Sequence, residues 1–266
     1  MVSTFALSLR DDGYTYILLI LPVCAVLLYL DWPFLRPSIA PSPRAGSALL
    51  LAAVLVACYA HGSSKSLSPD IGLSIAMFAL TLWWVGSFVL WFGSRAARLA
   101  LFPLCFLFAL VPLPRFALNA IVTQLQLGSA WAAHALFWIA RVPADQSGVS
   151  ITIPGLTIQV AQECSSIRSS SMLLVTTIVL AQLFLHSKWR KLLVILMAVP
   201  FSIAKNGLRI WVIATLGTQV DPGYLNGRLH HQGGVVFFAI ALVLVFALLW
   251  IVKRGEKDTH AYDAPL

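Results

Sequence analysis

The stretch "HSKWRKLLVILMAVPFSIAKNGLRIWVIATL", residues 186–216, decides how the chain is read. It opens on a basic cluster and then stays apolar from 192 to 216, longer than the roughly 20 residues that cross a bilayer. Inside that run stand Ser202, Lys205, Asn206 and Arg209. A charge at the centre of a membrane helix costs about 2.5–3.5 kcal/mol on insertion scales, so such residues usually face a polar cavity and act there. Ser202, Asn206 and Arg209 fall on one helical face, and Lys205 precedes Arg209 by one turn. Pro200 and Gly207 are positions where such a helix bends. The competing reading lets Arg209 snorkel to the outer surface. Against it, the apolar run continues well past Arg209.

The rest of the chain has the same character. Of 266 residues, 59% are hydrophobic and 11% charged, and the mean hydropathy is +0.87. Soluble domains are typically about 45–50% apolar and about 25% charged. The composition excludes a soluble globular enzyme and points to an all-α polytopic membrane protein, a lipid bilayer being its solvent. A net charge of +8 needs no nucleic acid to explain it, because lysines and arginines flanking spans orient them. Of four cysteines, Cys24, Cys58 and Cys105 lie deep in apolar runs, where the thiol behaves as a small hydrophobe. Only Cys164 has polar company.

Apolar segments cover 14–30, 47–61, 71–92, 99–113, 116–140, 165–186, 192–216 and 232–252. They predict about seven or eight spans, within a single integral membrane domain over 1–266 that ends in a soluble tail, 253–266. The segment 14–30 is read as a retained first span and not as a cleaved leader. "HSKWRKL" (186–192) and "KRGEK" (253–257) are the densest basic clusters, so both are expected on the cytoplasmic side. That puts the helix after Cys164 with its start outside, together with the end of the 192–216 helix and the start of the last span. The segment 116–142 carries Asn119, Gln124, Gln126 and His134, and reads either as a span or as an amphipathic helix on the outer surface. One piece is not helical. "GVSITIPGLTIQVAQ" (148–162) alternates apolar and polar residues around Pro154-Gly155, a pair suited to a type II turn. It predicts a short hairpin outside the membrane, leading into Cys164.

Two further polar sites accompany the arginine face. In "VAQECSSIRSSSMLLV" (160–175), Glu163 and Cys164 precede Ser165 and Ser166, both good helix caps. Cys164 then sits beside a helix N-terminus, with Arg168 one turn on along the same face. The dipole and the guanidinium both favour the thiolate, which is the nucleophilic form. A capped span with an incidental cysteine reads equally well from these residues alone. In "NGRLHHQGG" (226–234), His230 and His231 stand at the outer start of the last span. Alone, they read as interfacial histidines, as do His61, His134 and His186.

Taken together, Cys164, Arg209 and His230 or His231 come from three separate helices and are expected at one depth on one face. Thiol, imidazole and guanidinium are the parts of cysteine-based acyl transfer. The imidazole takes the thiol proton and later serves the leaving amine, while the guanidinium steadies developing negative charge. Zinc sites usually show close pairs such as CxxC or HxxxH. None is present, so the expectation is catalysis with no metal and no cofactor.

The blocks "QECSSIRSS", "PFSIAKNGLRI" and "GRLHHQGGVVFF" resemble the Cys, Arg and His blocks of the exosortase/archaeosortase family, and "FPLCFLFALVPLPRF" with the hairpin fits that family's layout. The resemblance covers about residues 100–245. It implies a multispanning cysteine protease or transpeptidase of the bacterial inner membrane, with its active site facing the periplasm. Its substrates would be exported proteins with a C-terminal tail of recognition motif, transmembrane helix and basic end, as in PEP-CTERM proteins. By resemblance, Cys164 is the nucleophile, Arg209 the transition-state stabiliser and His230 the proton shuttle, with His231, Arg168, Asn206 and Glu163 as supporting or alternative residues. The implied partners are the tailed substrate and an amine acceptor of unknown identity. Family members commonly carry glycine where this chain has Ser166. Two other readings stand beside this one: a transporter for polysaccharide or lipid-linked precursors, lined by Lys205, Asn206 and Arg209, and a non-catalytic assembly factor for exopolysaccharide export.

Overall fold

A computed structural model describes residues 11–63, 66–160, 167–225 and 234–262 together with Thr4 and Leu9, and of these Asp12, 224–225 and 257–262 by backbone alone. Glu163, Cys164, His230 and His231 lie outside the described residues, as do the expected cap residues Ser165 and Ser166. The architecture is all-α with one small antiparallel sheet. Its helices are α1 (Ile17–Leu35), α2 (Pro43–Gly62), α3 (Pro69–Leu99), α4 (Leu101–Phe106), α5 (Arg115–Ile139), α6 (Ile167–Phe184), α7 (Lys188–Gln219) and α8 (Gly234–Tyr262). Between α5 and α6 come β1 (Asp145–Ser147), β2 (Ser150–Ile153) and β3 (Leu156–Gln159). Helices dominate because a bilayer offers backbone groups no partners, so each span must satisfy them internally.

Six of these helices are long and apolar enough to cross a membrane, or up to seven spans if one broken pair counts as a single crossing. The expectation was seven or eight. The difference lies at 99–113, which the sequence presents as one apolar run. It forms the short α4 and a 3₁₀ turn, Leu107–Leu110, and the chain then bends by 96° into α5. "PLP" at 112–114 supplies the break, since proline cannot continue the hydrogen-bond ladder and restricts the residue before it.

The chain divides into two compact units, Met1–Leu118 and Asn119–Leu266. In the first, α2 and α3 pack so closely that a Cβ on Gly46 would stand 2.5 Å from the Leu90 Cα. Such small residues let membrane helices approach backbone to backbone. Near its end α3 kinks at Gly93, whose φ of +89° is open to glycine. The kink brings the Gly93 backbone against Ala40, and the Ser42 hydroxyl accepts from the Ser94 N–H at 3.0 Å where the helix restarts. At the other end of α3, Asp70 Oδ2 accepts from the Arg115 N–H at 3.0 Å and so caps the start of α5.

In the second unit, α6, α7 and α8 pack side by side. Glu256 on α8 accepts from the backbone N–H of His186 (3.1 Å) and of Ser187 (2.6 Å), fastening the turn that starts α7. Arg190 donates to the Gly255 carbonyl at 3.0 Å, and the Arg254 guanidinium stacks 3.6 Å over the Trp250 ring. The two basic clusters therefore share one end of this unit. Helix α8 continues into the stretch from Lys253, to Tyr262.

Strands β1, β2 and β3 form one antiparallel sheet in sequence order. The expected hairpin is its β2–β3 half, with Ile153 paired to Leu156 around the Pro154-Gly155 turn. Gly155 has φ +83°, as the third position of a type II turn requires. Strand β1 was not foreseen. The buried face of the sheet, Ile151 and Ile153 with Val160 after it, packs on Ala130, Ala133 and Phe137 of α5 and Ile210 and Ala214 of α7.

Candidate active site

The site is built on the middle of α7. An unbroken helix carries Ser202, Lys205, Asn206 and Arg209 through successive turns, with Pro200 and Gly207 inside it. Gly207 serves close packing: a Cβ there would lie 2.6 Å from the Ala132 Cβ and 3.0 Å from the Ala133 nitrogen on α5. Gly128 of α5 likewise sits against Ile203. This near contact of backbones squeezes polar side chains of α7 outward to either side.

The expected single polar face of α7 divides between two neighbours. Ser202 donates to the Ser170 hydroxyl on α6 at 2.5 Å, and Lys205 Nζ contacts the Ser169 hydroxyl on the same helix. Asn206 turns instead to α5, its Nδ2 donating to the Ser129 hydroxyl at 2.9 Å. All three are shielded, with Ser202 and Lys205 each 4% exposed and Asn206 1%. Such burial suits polar groups only when they are hydrogen-bonded, and each of these is. Arg209 follows Lys205 by one turn and is half-buried.

The partners on α6 lie in its first turn. The helix opens at Ile167, directly after the Ser165-Ser166 pair, with Arg168 exposed, Ser169 half-buried and Ser170 buried. On the other side, the Val160 carbonyl accepts from Gln126 Nε2 of α5 at 2.8 Å. Val160 and the first turn of α6 are thus each tied to a neighbouring helix, Val160 to α5 through Gln126 and the first turn of α6 to α7 through its serines. The sheet is steadied in the same way, with His134 Nε2 of α5 lying 3.1 Å from the Ala144 carbonyl.

Of the residues expected at the site, Arg168, Asn206 and Arg209 lie on described helices: Arg168 is exposed on the first turn of α6, Arg209 is half-buried on α7, and Asn206 faces α5. Glu163, Cys164, His230 and His231 fall outside the described residues. Ser169, Ser170, Ser129 and Gln126 are participants that sequence reasoning missed. Gln126 and Ser129 share the buried face of α5 at one-turn spacing, and that spacing was the signal available. Among the described residues, no three His, Cys, Asp or Glu side chains gather where they would hold a metal ion.

The transmembrane exosortase family model matches residues 8–247 of the chain. The chain belongs to the transmembrane exosortase family. That family comprises transpeptidase- and protease-like membrane sorting enzymes, so the chain is a multi-pass membrane protein of that kind. The match includes α1 to α7, the sheet and the blocks around Cys164, Arg209 and His230. No curated protein and no solved structure matches the chain.

Proposed function

We propose that the chain is a cysteine transpeptidase or protease of the bacterial inner membrane, cleaving the C-terminal sorting tails of exported proteins at the periplasmic face. Family membership carries this reading, and the polar seam between α6 and α7 supports it. Cys164 stands three residues before Ile167, so its Cα lies within about 11 Å of the Ile167 Cα by chain geometry alone. Ser169 and Ser170, which meet α7, follow Ile167 in the same first turn of α6.

Topology supports the outward-facing site. The basic clusters 186–192 and 253–257 share one end of the second unit, which the positive-inside rule assigns to the cytoplasm. The first turn of α6 and Arg209 then belong to the outer half. A substrate held by its own helix, with its motif just outside the bilayer, would offer its scissile bond there. The resemblance to the family makes the partner class an exported protein of PEP-CTERM type, tailed by motif, helix and basic end.

In the proposed reaction, the Cys164 sulfur attacks the scissile carbonyl and its proton passes to His230. Arg209 faces the oxyanion. The tetrahedral adduct collapses to a thioester as the amine leaves with the proton from His230. An amine acceptor or water then resolves the thioester. Replacing Cys164 by alanine or serine should leave a membrane-inserted protein that no longer processes a tailed reporter, with Arg209→Lys and His230→Ala impaired as well. Continued maturation of the reporter by Cys164→Ala would overturn the assignment. His231→Ala tests which histidine carries the proton.

A further inference from the structure

Lys205 has no role in the scheme above, yet it is the most deeply shielded cation on α7. A structural tie between α6 and α7 does not need it, because Ser202 and Ser170 already join those helices less than one turn away. On the other side, Asn206 and Ser129 join α7 to α5. Both ties are neutral. A lysine in an apolar span is far more expensive than a third serine or a methionine. What an amine offers that a hydroxyl does not is a lone pair basic enough to take up a proton. Lysine serves as a general base where it is kept from water or stands beside another cation. Lys205 meets both conditions, with Arg209 close enough to act on it electrostatically. Its amine rests on the hydroxyl of Ser169, itself half-buried in the first turn of α6. A nucleophilic or relaying hydroxyl in contact with a base is one of the marks of an acyl-transfer site.

We propose that Lys205 and Ser169 form a proton-relay pair that activates the acceptor in the second half of the reaction, with Lys205 as base. The inference rests on the cysteine reading given above. Water or a primary amine bonds to the thioester carbonyl carbon and gives its proton to Ser169 Oγ. Ser169 passes its own hydroxyl proton to the unprotonated Lys205 Nζ. The adduct collapses with cleavage of the carbon–sulfur bond, and the departing thiolate recovers the proton from Lys205 through Ser169. Bonds and protons balance, and both side chains return to their starting state. Cys164 and His230 make the acyl-enzyme; Lys205 and Ser169 discharge it.

The test uses the full chain in lipid nanodiscs with a reporter that carries a C-terminal tail encoded in the same genome. Rapid quenching follows release of the tail, and intact mass follows the acyl-enzyme. Lys205→Met should release one equivalent of tail at the wild-type rate and then stall, with turnover down about 100-fold or more and the acyl-enzyme accumulating. Added hydroxylamine, which attacks thioesters without a base, should discharge it. Lys205→Gln keeps a donor to Ser169 but takes up no proton, and should stall in the same way where Lys205→Met fails to fold. Ser169→Ala should slow the same step. Loss of the first-turnover burst in folded Lys205→Gln, or wild-type turnover in it, overturns the relay and leaves the cysteine reading intact. Absence of any trapped acyl-enzyme in the wild type, with Cys164→Ala still active, overturns both.

Discussion

Asn206 of α7 donates to the hydroxyl of Ser129 on α5 at 2.9 Å, and both side chains are 1% exposed. The bond lies beside Gly207, where the two backbones come nearest. It therefore fixes the rotation of α7 about its own axis. A small turn of α7 would break it and carry Lys205 away from Ser169 of α6.

Hydrogen bonds between membrane helices average about 0.6 kcal/mol in double-mutant cycles and reach about 1.7. Full burial places this one at the upper end. A cycle over Asn206→Ala and Ser129→Ala, measured by unfolding in bicelles, should give a coupling of about 1–1.7 kcal/mol. Processing activity should fall further than stability in the Asn206 variant, because the rotation it fixes aims the two cations.

Gly207→Ala would press a methyl into the Ala132 Cβ and the Ala133 backbone. Neither side can yield without separating the helices. Overpacking of this kind costs about 1–3 kcal/mol, so the variant should lose thermal stability in proportion. Gly148→Ala makes a useful contrast. Nothing lies within 4 Å of its added methyl, and only its φ of +60° opposes the change. It should lose no more than about 1–2 kcal/mol.

Gln126→Leu should leave insertion and helix packing largely unchanged but release the Val160 carbonyl. Val160 is the last described residue before the segment holding Cys164. Turnover of a tailed reporter should drop by about tenfold, the equivalent of about 1.4 kcal/mol for one lost hydrogen bond. Gln126→Glu keeps the shape but removes the donor, and should resemble the leucine variant in single-turnover measurements.

Glu256→Ala removes the acceptor for the N–H groups of His186 and Ser187. Loss of a helix-capping side chain costs about 0.5–2 kcal/mol. Hydrogen exchange at the first turn of α7 should rise in this variant, while the α6–α7 seam near Ser170 keeps its protection.

Much of this was legible in the sequence because lipid imposes severe rules. Long apolar runs located α1, α2, α3, α6, α7 and α8, although α3 and α8 run on past the apolar segments, to Leu99 and Tyr262. The arginine and asparagine of α7 stood out because polar groups are rare in such runs. The turn at Pro154-Gly155 announced itself through residues that few other structures require. What stayed hidden depended on partners. Serines are common in membrane helices, so Ser129, Ser169 and Ser170 carried no mark until Asn206, Lys205 and Ser202 were seen to meet them. Strand β1, "DQS", has no apolar alternation and is held only by pairing with β2. The boundary between 99–113 and 116–140 was legible, but not that 99–113 would form only a short helix and a 3₁₀ turn.

The reach of α8 past Lys253 also matters for anyone handling this protein. Deleting the chain from 253 onward would strip away Glu256, and with it the carboxylate that fastens the start of α7. Affinity tags are better joined beyond Tyr262, where the last helical residue lies. A shortened version trimmed at the hydrophobic boundary would come apart from the very end that looks most dispensable.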